Sequence, residues 1–121
     1  MLAGVKVKVY AYAKCSTCRK ALAFLKGRSV VTDVVDIVTL PPSKTELQRI
    51  QKLAGVPLKR LFNTSGESYR EGRFGERLAT MTDAQAFDAL AKDGKLIKRP
   101  LVVASDFALV GFDEQVYKER F

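Results

Sequence analysis

The chain has two thiols, Cys15 and Cys18, and both fall in the stretch Lys14-Cys15-Ser16-Thr17-Cys18-Arg19-Lys20. A cysteine reacts as its thiolate, and a helix N-terminus with nearby positive charge favours that form. A strand-like run precedes the pair and a helix-like run follows it, so Cys15 is expected at or near a helix N-cap, facing unpaired backbone N–H groups. Cys18 returns to the same side after most of a turn, where it can resolve a mixed disulfide. It also shares an apolar stripe with Leu22 and Leu25, so burial alone would account for its place equally well. Arg19 and Lys20 stand in the first helical turn, where cations oppose the helix dipole. Arg19 has two open readings: a group that holds an anion or the Cys15 thiolate, or a solvent-facing charge.

The rest of the composition narrows the chemistry. The chain has no His, which removes the usual general base for a Ser or Cys nucleophile and most ligand sets for zinc, so no metal site is expected. Its 121 residues, 47% hydrophobic and 28% charged, suit one soluble domain with its own core. No apolar run approaches the roughly 18–20 residues that span a bilayer. The opening Met1-Leu2-Ala3-Gly4-Val5-Lys6 lacks the apolar core of a signal peptide, which points to the cytoplasm. Cysteines in that compartment read as redox-active or catalytic rather than structural. The net charge of +8 attracts anions, but the basic residues are spread along the chain, and direct nucleic-acid binding is not expected.

The elements that must position the pair follow from periodicity. Val5 to Tyr12 alternates, with Val5, Val7, Val9 and Ala11 on one side, as a half-buried strand does. A helix is predicted from about Ser16 to Lys26, closed by Gly27. Val30 to Val38 is nearly continuous in Val and Ile, which predicts a strand buried on both faces and completes a parallel βαβ unit. Pro41 and Pro42 then break the chain. Capping boxes at Ser43–Glu46 and Thr82–Gln85 open two helices, ended by Gly55 and Gly94. Between them lie a short turn at 58–61, a loop at Asn63-Thr64-Ser65-Gly66 and a weak helix at Glu67–Glu71, with Gly72 and Gly75 keeping the segment irregular. Leu101–Ala104 and Ala108–Val110 form a hairpin, and Asp113 caps a last helix. Arg99-Pro100 stands at the entry of the hairpin's first strand, where a missing N–H does least harm.

This order, βαβ, a helical segment and then ββα, predicts an α/β fold with one mixed sheet of about four strands. It is the order of the thioredoxin fold, and Cys-x-x-Cys after the first strand of a βαβ unit is that fold's redox context. Cys15-Ser16-Thr17-Cys18-Arg19-Lys20-Ala21, Lys98-Arg99-Pro100-Leu101-Val102 and Val110-Gly111-Phe112-Asp113-Glu114 together resemble the arsenate reductase (ArsC)/Spx family, most closely its small ArsC-like and Spx/MgsR-type members. The resemblance covers essentially the whole chain. It implies a single domain over 1–121, with a thioredoxin-like core at 1–40 and 95–121 and a helical insert at 41–94.

The resemblance also implies roles. Cys15 matches the nucleophile, Cys18 the second cysteine of the Spx-type redox pair, and Arg19 the arginine near the nucleophile. Arg99 matches an oxyanion-binding arginine, with Pro100 as the proline that is cis in thioredoxin-like folds and lies against the reactive cysteine. Lys14 and Lys98 are further cations for the anion. The departures are specific. Ala11 stands where the glutathione-dependent arsenate reductases carry a His, and Asn63 stands at a loop arginine. Ser65 replaces an arginine frequent in Spx-like relatives, and Val110-Gly111-Phe112 replaces a further one. Of three arsenate-binding arginines, only Arg99 is matched.

Two functions follow as expectations. In the first, a thiol oxidoreductase attacks with Cys15, resolves with Cys18 and holds a small oxyanion with Arg99. It binds no cofactor and is regenerated by thioredoxin or by glutathione with glutaredoxin. In the second, an Spx-like regulator binds RNA polymerase and uses the same pair as an oxidation switch. Because Phe121 follows directly on the last helix, without an added tail, the first is preferred.

Overall fold

The computed structural model describes residues 5–121, so the reading of Met1–Gly4 lies outside the described residues. The sheet has four strands in the order β2-β1-β3-β4, formed by β1 (Lys6–Ala11), β2 (Val31–Asp36), β3 (Leu101–Val103) and β4 (Ala108–Val110). β1 and β2 run parallel, with Val9 opposite Val34. β3 runs antiparallel to β1, with Tyr10 opposite Leu101 and Val9 opposite Val102, and it forms the expected hairpin with β4. This mixed sheet with helices on its faces is the predicted α/β, thioredoxin-like arrangement.

Alternation along the central strands sends side chains into two apolar layers. Val7, Val9 and Ala11 of β1, with Val102 and Leu109, pack against α1 (Ser16–Gly27) and α6 (Glu114–Arg120) through Cys18, Ala21, Leu25, Tyr117 and Phe121. Tyr10, Leu101, Val103 and Ala108 face the other way. There they meet Leu47 and Ile50 of α2 (Lys44–Ala54) and Phe87 and Leu90 of α5 (Asp83–Lys92). Tyr117 donates its hydroxyl hydrogen to the Gly111 carbonyl at 2.7 Å, which fixes α6 to the turn after β4. Among the described residues, no helix is long and apolar enough to cross a membrane.

Several local expectations hold in detail. Thr82 and Gln85 make both bonds of a capping box, and Asp113 caps α6 by accepting from Gln115 and Val116. Ser43 accepts the Glu46 N–H at 3.1 Å, but the Glu46 carboxylate turns to Arg49, so that box is half made. The weak helix appears as α3 (Glu67–Glu71) and the turn at Leu58–Leu61 as a 3-10 turn.

Four expectations are corrected. β2 is not buried on both faces: it is the outer strand, and Val31 and Val34 are 51% and 52% exposed. A continuous apolar run signals a central strand only when the sheet extends on both sides of it. Gly27 is the last helical residue of α1 rather than its cap, and the left-handed residue that ends the turn is Ser29 (φ 60°). Gly75 lies inside a helical turn, α4 (Phe74–Arg77). Asp93, not Gly94, caps α5; Gly94 opens a 3-10 turn (Gly94–Leu96) pressed against the Ile37 carbonyl just past β2.

That close approach leaves no room for a Cβ at Gly94, whereas nothing lies within 4 Å of one at Gly27. Gly94→Ala is therefore expected to destabilise the fold by about 1–3 kcal/mol through overpacking against backbone. Gly27→Ala should stabilise it by roughly 0.5–1 kcal/mol through helix propensity. Urea unfolding of both variants checks the contrast; equal effects would remove the packing account of Gly94.

Candidate active site

β1 delivers the chain to the loop that carries the thiol. The Cys15 N–H donates to the Tyr12 carbonyl at 3.0 Å, turning the chain back toward α1. Cys15 then takes extended backbone angles as the N-cap, and its Sγ accepts the Cys18 N–H at 3.3 Å. A capping side chain with this geometry satisfies one of the free donors of the first turn. Cys18 is buried in the α1 layer and Cys15 is half-buried, so one thiol meets solvent and the other meets the core.

Their ionisation is unequal. Burial works to raise the Cys15 thiol, but hydrogen bonding from the Cys18 thiol and Cys18 N–H, together with the Arg99 guanidinium, outweighs it and brings Cys15 below its ordinary value. Burial, and then the neighbouring Cys15 sulfur, push Cys18 up to about 12. Charge on one sulfur opposes charge on the other, so Cys15 is the more acidic of the two thiols and Cys18 the more resistant to losing its proton.

Arg99 reaches this site from the far end of the sequence. Its peptide bond to Pro100 is cis, and Pro100 is buried at the start of β3. The guanidinium lies over the Tyr12 ring, 5.2 Å from its centroid. Arg99 Nε and Nη1 are buried and have no hydrogen-bond partner. Buried donors without acceptors are costly, and a bound anion would satisfy these two. The helical segment helps to hold Arg99 in place: Lys98 donates its N–H to the Leu61 carbonyl at 2.7 Å, and Asn63 donates to the Leu96 carbonyl at 2.8 Å. An isolated antiparallel bridge between Phe62 and Ile97 joins the same two segments.

Of the residues singled out in the sequence, Cys15, Cys18, Arg99 and Pro100 come together at the ends of β1 and β3. Lys14 and Arg19 are exposed, and among the described residues neither side chain makes a hydrogen bond or ion pair. Sequence reasoning missed Tyr12, which contacts Arg99 and positions Cys15. It also missed a cavity of about 340 Å³ lined by Tyr12, Asn63, Glu67, Glu71, Lys95 and Arg99. The available signal was the four-residue spacing of Glu67 with Glu71 and of Lys95 with Arg99. Neither cysteine lines this cavity, which shares Tyr12 and Arg99 with the thiol site, and neither lines a wider depression of about 630 Å³ between Arg77, Met81 and Asp88.

The pH dependence of alkylation reads the unequal thiols directly. Alkylation of Cys15 by iodoacetamide is expected to rise through a midpoint below the ordinary thiol value, and Arg99→Gln should move that midpoint upward by removing a positive neighbour of the thiolate. Cys18 should resist alkylation at neutral pH. A midpoint at or above the ordinary value in the unaltered protein would contradict this electrostatic account.

The chain is similar to several known proteins. The chain is 41% identical to the uncharacterised protein YusI of Bacillus subtilis, over 93% of this chain and 95% of that protein. It is 30% identical to an arsenate reductase of Rhizobium meliloti, over 81% of this chain and 69% of that protein. It is 22% identical to the regulatory protein MgsR of Bacillus subtilis, over 86% and 81%. A crystal structure of an ArsC family related protein from Bacteroides fragilis superposes with a TM-score of 0.90 at 39% identity, covering 93% of this chain and 95% of that one. The model of the ArsC family matches residues 10–120, from the Tyr10 end of β1 to the last turn of α6, and the chain belongs to the ArsC family.

Proposed function

We propose that the protein is a thiol oxidoreductase of the arsenate reductase kind, with Cys15 as nucleophile and Cys18 as resolving thiol. The observation that carries this reading is a half-buried thiol at a helix N-cap, accepting the backbone N–H of a buried second cysteine, with a guanidinium nearby whose buried donors are unpaired. Cys15 thiolate attacks the electrophilic atom of the substrate, an oxyanion or a disulfide sulfur, and forms a covalent adduct. Cys18 then attacks Cys15 Sγ, the bond to substrate breaks, and the substrate leaves with two electrons while the pair becomes a disulfide. With arsenate, two thiols and one arsenate give one disulfide, one arsenite and water.

No cofactor is needed within the protein. Thioredoxin, or glutathione with glutaredoxin, returns the disulfide to the dithiol, and the cytoplasm is the compartment that supplies these reductants. Arg99 supplies the main grip on an oxyanion, with Lys14 and Arg19 adding field from the solvent side. Asn63 and the Val110-Gly111-Phe112 segment stand where the family resemblance implies two further arsenate-binding arginines, so arsenate is held weakly and its KM is high. The same reading takes residues 1–121 as a single domain in which the segment 41–94 clamps the approach to Arg99 through Leu61–Asn63.

A second reading, a redox-controlled regulator that binds RNA polymerase, draws support from the likeness to MgsR. There the pair forms its disulfide under oxidation and no substrate is turned over.

The test is arsenate turnover by purified protein, with the thioredoxin and glutathione/glutaredoxin systems supplied in parallel. Cys15→Ser is expected to abolish turnover, and Cys18→Ser to stall it at an adduct that an external monothiol can release. Arg99→Gln should lower kcat/KM for arsenate by about 10²-fold, the usual loss for one positioned donor on a developing anion. Reversible oxidation of the pair with no turnover under either reductant would transfer support to the regulator.

A further inference from the structure

We infer that the cavity sharing Tyr12 and Arg99 with the Cys15 site is a subsite for the amino-acid portion of a thiol or disulfide, a group carrying both an ammonium and a carboxylate. This inference rests on the redox reading of the pair and names the substrate class that the site selects.

The cavity's charges carry it. Two carboxylates, Glu67 and Glu71, and two cations, Lys95 and Arg99, line it together. Among the described residues, none of these four side chains is in an ion pair, and Arg99 holds two buried donors without acceptors. A site built for a bare oxyanion would gain from the cations and lose to the carboxylates. One built for a zwitterion gains from both. The volume of about 340 Å³ is at the lower end of small-molecule sites and leaves room for an amino-acid group beyond a tetrahedral anion.

The carboxylates also stand against local preference. Glu67 and Glu71 are four residues apart on α3, so they share a face and repel. Glu67, in the first turn, complements the helix dipole, but Glu71 is the last residue of α3, where a carboxylate opposes it. The chain as a whole carries 21 basic and 13 acidic residues, so two adjacent acids facing this cavity run counter to its general charge. An ammonium held between them relieves the repulsion, while Lys95 and Arg99 take the carboxylate.

The reaction balances without a further reagent. Cys15 thiolate attacks one sulfur of the bound disulfide, a Cys15–sulfur bond forms, and the disulfide's own S–S bond breaks. The first thiolate leaves and takes up a proton. Cys18 then attacks Cys15 Sγ, loses its proton to solvent, and expels the second thiol. One disulfide is reduced to two thiols and the Cys15–Cys18 dithiol is oxidised.

Three small disulfides separate the possibilities: L-cystine, which carries both charges; 3,3′-dithiodipropionate, which carries only carboxylates; and 2-hydroxyethyl disulfide, which carries neither. The second-order rate of Cys15 oxidation is measured for each, with the reduced full chain and with the double variant Glu67→Gln, Glu71→Gln. Both glutamates are exposed, and the thermal unfolding midpoint verifies that the variant is folded. With cystine, the double variant should react about tenfold more slowly, the scale of one lost charge-assisted contact. With dithiodipropionate it should react about threefold faster, because a like charge is removed, and with hydroxyethyl disulfide at an unchanged rate. Lys95→Gln should slow both charged disulfides. If the double variant slows cystine and hydroxyethyl disulfide by the same factor, or leaves cystine unaffected, the subsite is refuted while the redox reading stands. If Cys15 is inert even to hydroxyethyl disulfide, the redox reading fails and this inference with it.

Discussion

An N-cap side chain must accept free backbone N–H groups of the first helical turn, and in this chain the acceptor is a sulfur. Serine or aspartate would cap α1 more strongly. Sulfur is the weaker acceptor, yet the same N–H that it caps stabilises its negative charge once it ionises. The first turn carries no acid that would compete for that field, and Arg19 and Lys20 oppose the dipole there. α1 therefore owes little of its stability to its own N-terminus. Its stability comes from Cys18, Ala21 and Leu25, packed without solvent against β1 and β3. Cys18 thus belongs both to the packing that secures the helix and to the chemistry at its end.

Strand register brings the remaining charge. β1 and β3 pair with Tyr10 opposite Leu101, and carrying that register two residues further sets Tyr12 opposite Arg99. The guanidinium consequently lies over the Tyr12 ring, and the Tyr12 carbonyl holds the Cys15 N–H. A single residue at the end of β1 thereby ties the thiol to the arginine. The segment between β2 and β3 adds the third side through Leu61 and Asn63, which bond the backbone immediately before Arg99. Positions 15, 63 and 99 meet because the sheet and this clamp converge on one end of β1.

What the sequence disclosed was local, and what it concealed was assembled at long range. The Thr82–Gln85 cap, the Gly55 stop at φ 66° and the alternation of β1 each express their geometry within a few residues. The run Val30–Val38 misled because burial of a strand depends on which neighbours it acquires, and β2 acquired one. Gly94 reads as a helix stop from its type alone, but Asp93 is the cap, and the place of Gly94 is set by its approach to the Ile37 carbonyl, far away in sequence. Glu67 and Glu71 bound a weak helix and Lys95 falls in no motif, so no local motif marks them. Only the docking of α3 beside the Arg99 segment turns them into the wall of one cavity.

Under the proposed chemistry, the electrostatics of the pair also set the order of events. The Cys18 proton is held first by burial and then by the charge and hydrogen bonding of Cys15, while Tyr12 and Arg99 pull the other way. Before reaction, negative charge on Cys15 opposes ionisation of Cys18. Once Cys15 is bonded to substrate its charge is gone, so its share of the upward shift disappears while Arg99 remains. Cys18 becomes easier to ionise only after there is an adduct for it to attack. Burial keeps it from competing as a first nucleophile, since small reagents reach the half-buried Cys15 and not the core. A pair of equally exposed, equally acidic thiols would lack this sequence, and either sulfur would start the reaction. The asymmetry thus follows from Cys15 standing at the helix end and Cys18 one turn inward, facing β1.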